Sequence, residues 1–205
     1  MNPKIYRMII ASIGCFILGI GIGMCDLARL GTDPFTVLLV GMQAKIGLTL
    51  GIMNVIVCLM MIAFAWFVDK TMISAVSFLS MICTSAGIDV ITLLFKTPPA
   101  DRILAFLLLL AGVVVYSAGT GLAITPEAGY DSYDAFLIAL QKLSGRSYKE
   151  VRWCVEIVFL AVGALLGGRI GIGTLVTFAA TGPLVELLHR LFRRHLPVLA
   201  HTVKK

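Results

Sequence analysis

No ionised side chain interrupts the chain between Arg7 and Asp26, Lys45 and Asp69, Lys70 and Asp89, Arg102 and Glu127, or Arg169 and Glu186. A hydrocarbon layer about 30 Å thick takes roughly 20 apolar residues as helix. In lipid, every backbone polar group must find its partner inside the segment or in a closed barrel. Barrel-type alternation with a period of two is absent, so the windows predict membrane helices. Composition agrees: 59% of the residues are hydrophobic and 14% charged, where soluble domains carry about a quarter charged. A core this small cannot hide that much apolar surface. Met1–Arg7 is mildly basic and precedes an apolar run, but no small-x-small cleavage site ends it, so a retained first helix is expected.

The sequence also carries an internal correspondence. Shifted by 98 positions, Gly21, Gly23, Gly31, Asp33, Gln43 and Gly47 fall on Gly119, Gly121, Gly129, Asp131, Gln141 and Gly145 without a gap, and Phe35 falls on Tyr133. Agreement of rare acidic residues flanked by glycines is informative where agreement of apolar residues is not. The predicted organisation is a first repeat over 1–98, a second over 99–196 and a basic cytoplasmic tail over 197–205. Each repeat holds four segments: 5–25, 34–46, 51–68 and 72–95, then 103–124, 132–144, 150–167 and 171–193. The expected fold is all-α, a polytopic transmembrane bundle of two related halves with one short half-helix in each.

The short segments have clear ends. Asp33-Pro34 sets an N-cap side chain before a proline at the first helical position. Asp131 is its counterpart, with Asp134 in the first turn. Gly47 and Gly145 stop the short helices. Thr49 and Ser147 can cap the third segment of each half, and Ser147 to Glu150 reads as a capping box.

Cation counting orients the chain. If all eight segments cross, fourteen cations lie on the side of the termini and only Arg29, Lys70 and Arg169 on the other. If the short segments re-enter, Lys45, Lys96 and Arg102 move to the far side, Lys70 moves to the side of the termini, and the split is 12 to 5. The count favours eight crossings in a 4+4 parallel repeat with both termini cytoplasmic, over a 3+3 inverted arrangement.

Short, glycine-flanked segments at matching positions of two halves point to a transport site. A helix that begins inside the membrane aims unpaired N–H groups and a positive dipole end at the interior. Thr32 and Asp33 in one lead-in, and Tyr130, Asp131 and Asp134 in the other, are therefore the first substrate-binding candidates. Asp33 and Asp131 either cap alone or combine capping with contact to a solute or cation. Gln43 and Gln141 offer neutral donors and acceptors on the short helices. Asp89 is an ionisable group inside a long apolar segment, costly unless used. Glu186 with Arg190, and Arg152 with Glu156, read as local pairs. The spacings Gly19-xxx-Gly23 and Gly163-xxx-Gly167 suit close helix packing.

No catalytic motif is found, and the histidines lie at the basic C-terminal end, so no enzyme activity is expected. Five cysteines without a CxxC pair call for neither metal nor cofactor. The basic clusters mark loops at a membrane rather than a nucleic-acid surface. The expected partners are the bilayer and an unknown small solute; homo-oligomerisation stays open.

The glycine-rich first helix, Gly31-Thr-Asp-Pro-Phe35, Gly47-Leu-Thr49-Leu-Gly51, Gly171-Ile-Gly-Thr174 and Gly182-Pro183 together resemble the YczE/YitT-type family of small bacterial membrane proteins. The resemblance covers nearly the whole chain and is closer to the YczE branch, since the soluble C-terminal domain of YitT-like proteins is missing. It implies a multi-pass protein of the bacterial plasma membrane. Two functions remain: a permease with the Asp33 and Asp131 loops along its path, or a non-transporting protein that docks or regulates partners through its basic loop and tail.

Overall fold

The computed structural model describes residues 3–195. They form eight α-helices and no strand: α1 (Pro3–Leu27), α2 (Pro34–Ile46), α3 (Leu50–Val68), α4 (Ala75–Leu94), α5 (Arg102–Ile124), α6 (Ser132–Ser144), α7 (Tyr148–Leu165) and α8 (Ile172–His195). The expected tail, 197–205, lies outside the described residues. The fourth segment starts later than predicted because Lys70–Met72 forms a separate 3₁₀ turn, capped by Asp69.

Five helices, α1, α3, α4, α5 and α8, are long and apolar enough to cross a membrane. The 18 residues of α7 reach about 27 Å, while the 13 residues of α2 and of α6 reach only about 20 Å. The outer surface is apolar: Phe67 is 84% exposed and Leu165 86%. Exposed apolar side chains of that size suit lipid.

α1 sits against both α5 and α4 and presents a different glycine stripe to each. A Cβ on Gly14 would lie 2.4 Å from the Ala123 nitrogen, and one on Gly21 2.3 Å from the Tyr116 nitrogen. A Cβ on Gly19 would lie 2.1 Å from the Thr84 carbonyl oxygen, and one on Gly23 2.9 Å from the Ile91 side chain. The absent side chains let backbones touch, which is how helices associate where water does not drive them together.

These contacts also fix the direction of each helix. Moving up α1 from Gly14 to Gly21, the α5 partner falls from Ala123 to Tyr116; the two helices are antiparallel. Moving from Gly19 to Gly23, the α4 partner rises from Thr84 to Ile91; those two are parallel. α5 and α8 are parallel as well. Leu109 and Val113 pack with Val176 and Ala180, and Gly121 meets Leu188 and His189 farther along.

The expectation of eight crossings with parallel halves therefore fails. If every segment crossed, α1 and α5 would point the same way and α1 and α4 opposite ways. The observed senses require that α2 does not cross between α1 and α3, and that α6 does not cross between α5 and α7. The 3+3 inverted arrangement is the one that fits.

Packing is crosswise. α2 lies on α7, and α6 lies on α3. The Gly173 N–H donates to the Leu30 carbonyl (2.8 Å), so the lead-in to α2 is braced by the start of α8. The Ser77 hydroxyl donates to the Tyr130 carbonyl (2.7 Å), and the Ser132 hydroxyl to the Ser77 carbonyl (2.9 Å). The start of α4 thus braces the lead-in to α6. Gly163 packs against Leu38 as its spacing suggests, but a Cβ on Gly167 would meet no neighbouring helix within 4 Å. Its φ of +97° ends α7 in the left-handed region instead.

At the end of α3, Asp69 pairs with Lys142 from the end of α6. The Lys142 ammonium beside it, together with Thr71, holds the Asp69 carboxyl well below the usual carboxylate range.

Candidate functional site

Both short helices begin as the sequence predicts. The Asp33 carboxylate accepts from the Thr36 N–H (3.1 Å) and the Thr36 hydroxyl (2.7 Å). The Asp131 carboxylate accepts from the Asp134 N–H (2.7 Å). Gly47 and Gly145 stop the helices at φ of +80° and +66°, their N–H groups donating to the Gln43 and Gln141 carbonyls.

The two starts meet. The rings of Phe35 and Tyr133, each two residues beyond its capping aspartate, lie 5.7 Å apart. Phe159 of α7 lies 5.8 Å from Phe35 and 6.3 Å from Tyr133. Centroid separations in this range are those of favourable tilted aromatic pairs. The two ends are far apart. Gln43 shares a surface cleft with Thr92 and Phe95 at the end of α4, close to the start of α3, where Asp89 sits on Gly51. Lys142 of α6 sits at the other end of α3, on Asp69. The short helices thus start side by side within the bundle and run out to opposite ends of α3.

Around the junction lies a polar group that straddles both halves. Asp33 and Tyr133 are within electrostatic reach of Glu156, which accepts from Arg152 at 2.9 Å. Tyr116 of α5 is within reach of Asp33 and Arg152. The Tyr148 hydroxyl donates to Asp134 (2.6 Å). Asp131 is within electrostatic reach of Asp134 and Arg152 of the same group, and also of Cys15 and Cys58. The arrangement can exchange hydrogen bonds or a proton with a polar solute, through carboxylates held at fixed positions by their own helix starts.

Not every predicted residue is here. Thr32 is buried beside Asp33. Tyr130 is brought near through its carbonyl, its ring being exposed. Gln43 and Gln141 lie ten residues down their helices, about 15 Å from the junction. Asp89 lies at the outer end, where its carboxylate accepts from the Gly51 N–H (2.9 Å) and the Thr49 hydroxyl (2.9 Å). There it caps α3 from the neighbouring helix. We expect Asp89→Ala to lower stability by about 2 kcal/mol, the usual scale for a lost charged cap. The thermal midpoint of the purified protein should fall accordingly.

Sequence reasoning misses Thr36, Tyr116 and Tyr148. No motif assigns them a role: Tyr148 fills a non-capping place in the Ser147–Glu150 box, and only Thr36, three residues after an N-cap aspartate, carries a local signal. The Arg152–Glu156 pair is legible, its place beside Asp33 is not.

A family model described as a family of unknown function, DUF6198, matches residues 5–190. The chain belongs to that family. It is similar to YyaS of Bacillus subtilis (strain 168), an uncharacterised protein, at 29% identity over 89% of this chain and 92% of that one. An uncharacterised protein of Haemophilus influenzae is 28% identical over 88% and 83% of the two lengths. The uncharacterised membrane protein YczE of Bacillus subtilis (strain 168) is 24% identical over 82% and 79%. The expected likeness to YczE is thereby found. No solved structure matches the chain. With its apolar helices and a membrane protein among its relatives, the DUF6198 chain is a multi-pass membrane protein.

Proposed function

We propose that this protein is a small-solute permease of the bacterial plasma membrane, built from two inverted, duplicated halves. The observation that carries the reading is the pair of short helices. They start together at the Phe35–Tyr133 contact and end at opposite ends of the bundle. Backbone that is not helical at membrane depth persists only where protein or water covers it. Transporters place solute sites at such broken-helix starts, on the pseudo-twofold between inverted repeats. The duplication is supported by the contact of α1 with α5. Gly14 and Gly21 correspond to Gly112 and Gly119, and both pairs face the partner helix. In this topology twelve cations fall on the side of the termini and five on the other, an excess that supports cytoplasmic termini.

Asn caps a helix as well as Asp does, so Asp33→Asn and Asp131→Asn remove a carboxylate and leave the helix starts intact. The test is flux into proteoliposomes, with labelled amino acids, monocarboxylates, ammonium and phosphate assayed one at a time. One solute should equilibrate faster than in empty liposomes. Each variant should slow that flux by about tenfold or more, the equivalent of about 1.4 kcal/mol or more, while remaining monodisperse. Absence of flux for the whole panel, or flux indifferent to both variants, would overturn the reading.

A further inference from the structure

We infer that the cleft at the end of the bundle opposite the start of α1 and the end of α8 is a binding site for a small oxyanion, the carboxylate or phosphate group of a solute. The cleft measures about 160 Å³, and its walls include Asp26, Arg29, Gln43, Phe95, Lys96 and Arg169. These residues arrive from four separate stretches of chain: the end of α1 with the turn after it, α2, the exit from α4 and the loop before α8.

The charge balance decides the class of ligand. Three cations face one carboxylate across a space for about five waters. Among the described residues, ion pairs within 4.0 Å join Lys142 to Asp69, Arg152 to Glu156 and Arg190 to Glu186. Arg29, Lys96 and Arg169 are in none of them. Asp26 acts on Arg169 and Arg29 only at longer range. The wall therefore keeps two positive charges in excess, with guanidinium forks suited to the planar or tetrahedral oxygens of an oxyanion. Gln43 can add a neutral donor, and Phe95 an apolar side for a short body.

Arg29 is held there by its backbone. Its φ of +54° is a left-handed conformation uncommon for a non-glycine residue, at the turn where the chain leaves α1 for the lead-in to α2. The same turn thus orients both a cation of the cleft and the strand of backbone that carries Asp33. The inference concerns binding and does not rest on transport.

The test is calorimetry on the purified protein in phosphatidylcholine nanodiscs, titrated with sodium acetate and with inorganic phosphate at constant ionic strength in chloride. One of the two should bind saturably, at least tenfold more tightly than chloride. Arg169→Gln and Lys96→Gln should each weaken it about tenfold, as loss of a charge-assisted hydrogen bond does. Asp26→Asn, which removes the repelling charge, should strengthen it about threefold, a gain that a misfolded protein cannot show. If the oxyanion is a lipid headgroup, nanodiscs with phosphatidylglycerol will suppress the titration, and Arg169→Gln will lower the phosphatidylglycerol retained on purification; that result upholds the site and names its source. Absence of saturable binding together with absence of phosphatidylglycerol retention overturns the inference. So does an affinity unmoved by Arg169→Gln and Lys96→Gln, or one weakened by Asp26→Asn.

Discussion

Gly119→Leu should leave little or no folded protein. A Cβ at Gly119 would stand 2.2 Å from the Leu18 nitrogen, 2.6 Å from the Leu18 Cα and 2.8 Å from the Gly14 carbonyl oxygen. All three are backbone atoms of α1, so no rotamer change relieves the overlap. α1 and α5 must separate, and α1 carries α4 on its other glycine stripe. Overpacking costs about 1–3 kcal/mol when side chains can yield. Here only backbone can move, which puts the cost at or above the upper end, against a total stability of about 5–15 kcal/mol. Size-exclusion profiles of the detergent-solubilised variant should show aggregate in place of the monodisperse peak. Gly182→Ala is the contrast: nothing lies within 4 Å of its Cβ position in α8. There alanine meets no other helix and should leave the monodisperse peak in place, its one new contact being the local crowding against Pro183. A Gly119→Leu protein as stable as wild type would refute the close crossing of α1 and α5.

The second large effect is all-or-none and concerns sidedness. Leu48 and Arg146 occupy the same place in the turns after α2 and after α6. In a cysteine-free background, Leu48→Cys should react with a membrane-impermeant maleimide added to intact cells. Arg146→Cys should react only after the membrane is opened. The antiparallel α1–α5 pair demands opposite sides for these turns, and the excess of cations near Arg146 puts that side in the cytoplasm. Eight crossings in parallel halves would place both turns inside and leave both cysteines protected. The same outcome for the two positions, labelled or protected, would sink the inverted arrangement.

The helices themselves are legible in the sequence because their ends are chemically marked. Asp33-Pro34, Gly47, Thr49, Asp131, Gly145 and Ser147 to Glu150 each perform the capping role that their residue types announce. The meeting of the two lead-ins is legible from their matching residues. The sense of the halves is not. Cation counting treats every loop charge alike, and the positions of Lys45, Lys70, Lys96 and Arg102 alone separate the two topologies. The stronger signal is steric. Gly14 with Gly21, and Gly112 with Gly119, put two small residues seven apart on one face of each helix. A face that pairs with its own copy does so about a twofold axis, each residue meeting its partner's partner, and across such an axis two helices can run in opposite senses. Asp89 announces only its cost in lipid; its partners, Thr49 and Gly51, lie some forty residues earlier and no local pattern joins them.

The crosswise bracing has a consequence for assembly. The carbonyl of Leu30 waits for the N–H of Gly173, which leaves the ribosome when almost the whole chain has been made. Until then the entry to α2 has no lasting partner in the bilayer, and water or the insertion machinery must shelter it. A gene product cut after Phe95 would contain four sound helices and yet lack the clasp that shuts its own re-entrant loop. Supplying residues 99–195 as a second polypeptide should restore it, because that clasp is made between the two pieces and not within either.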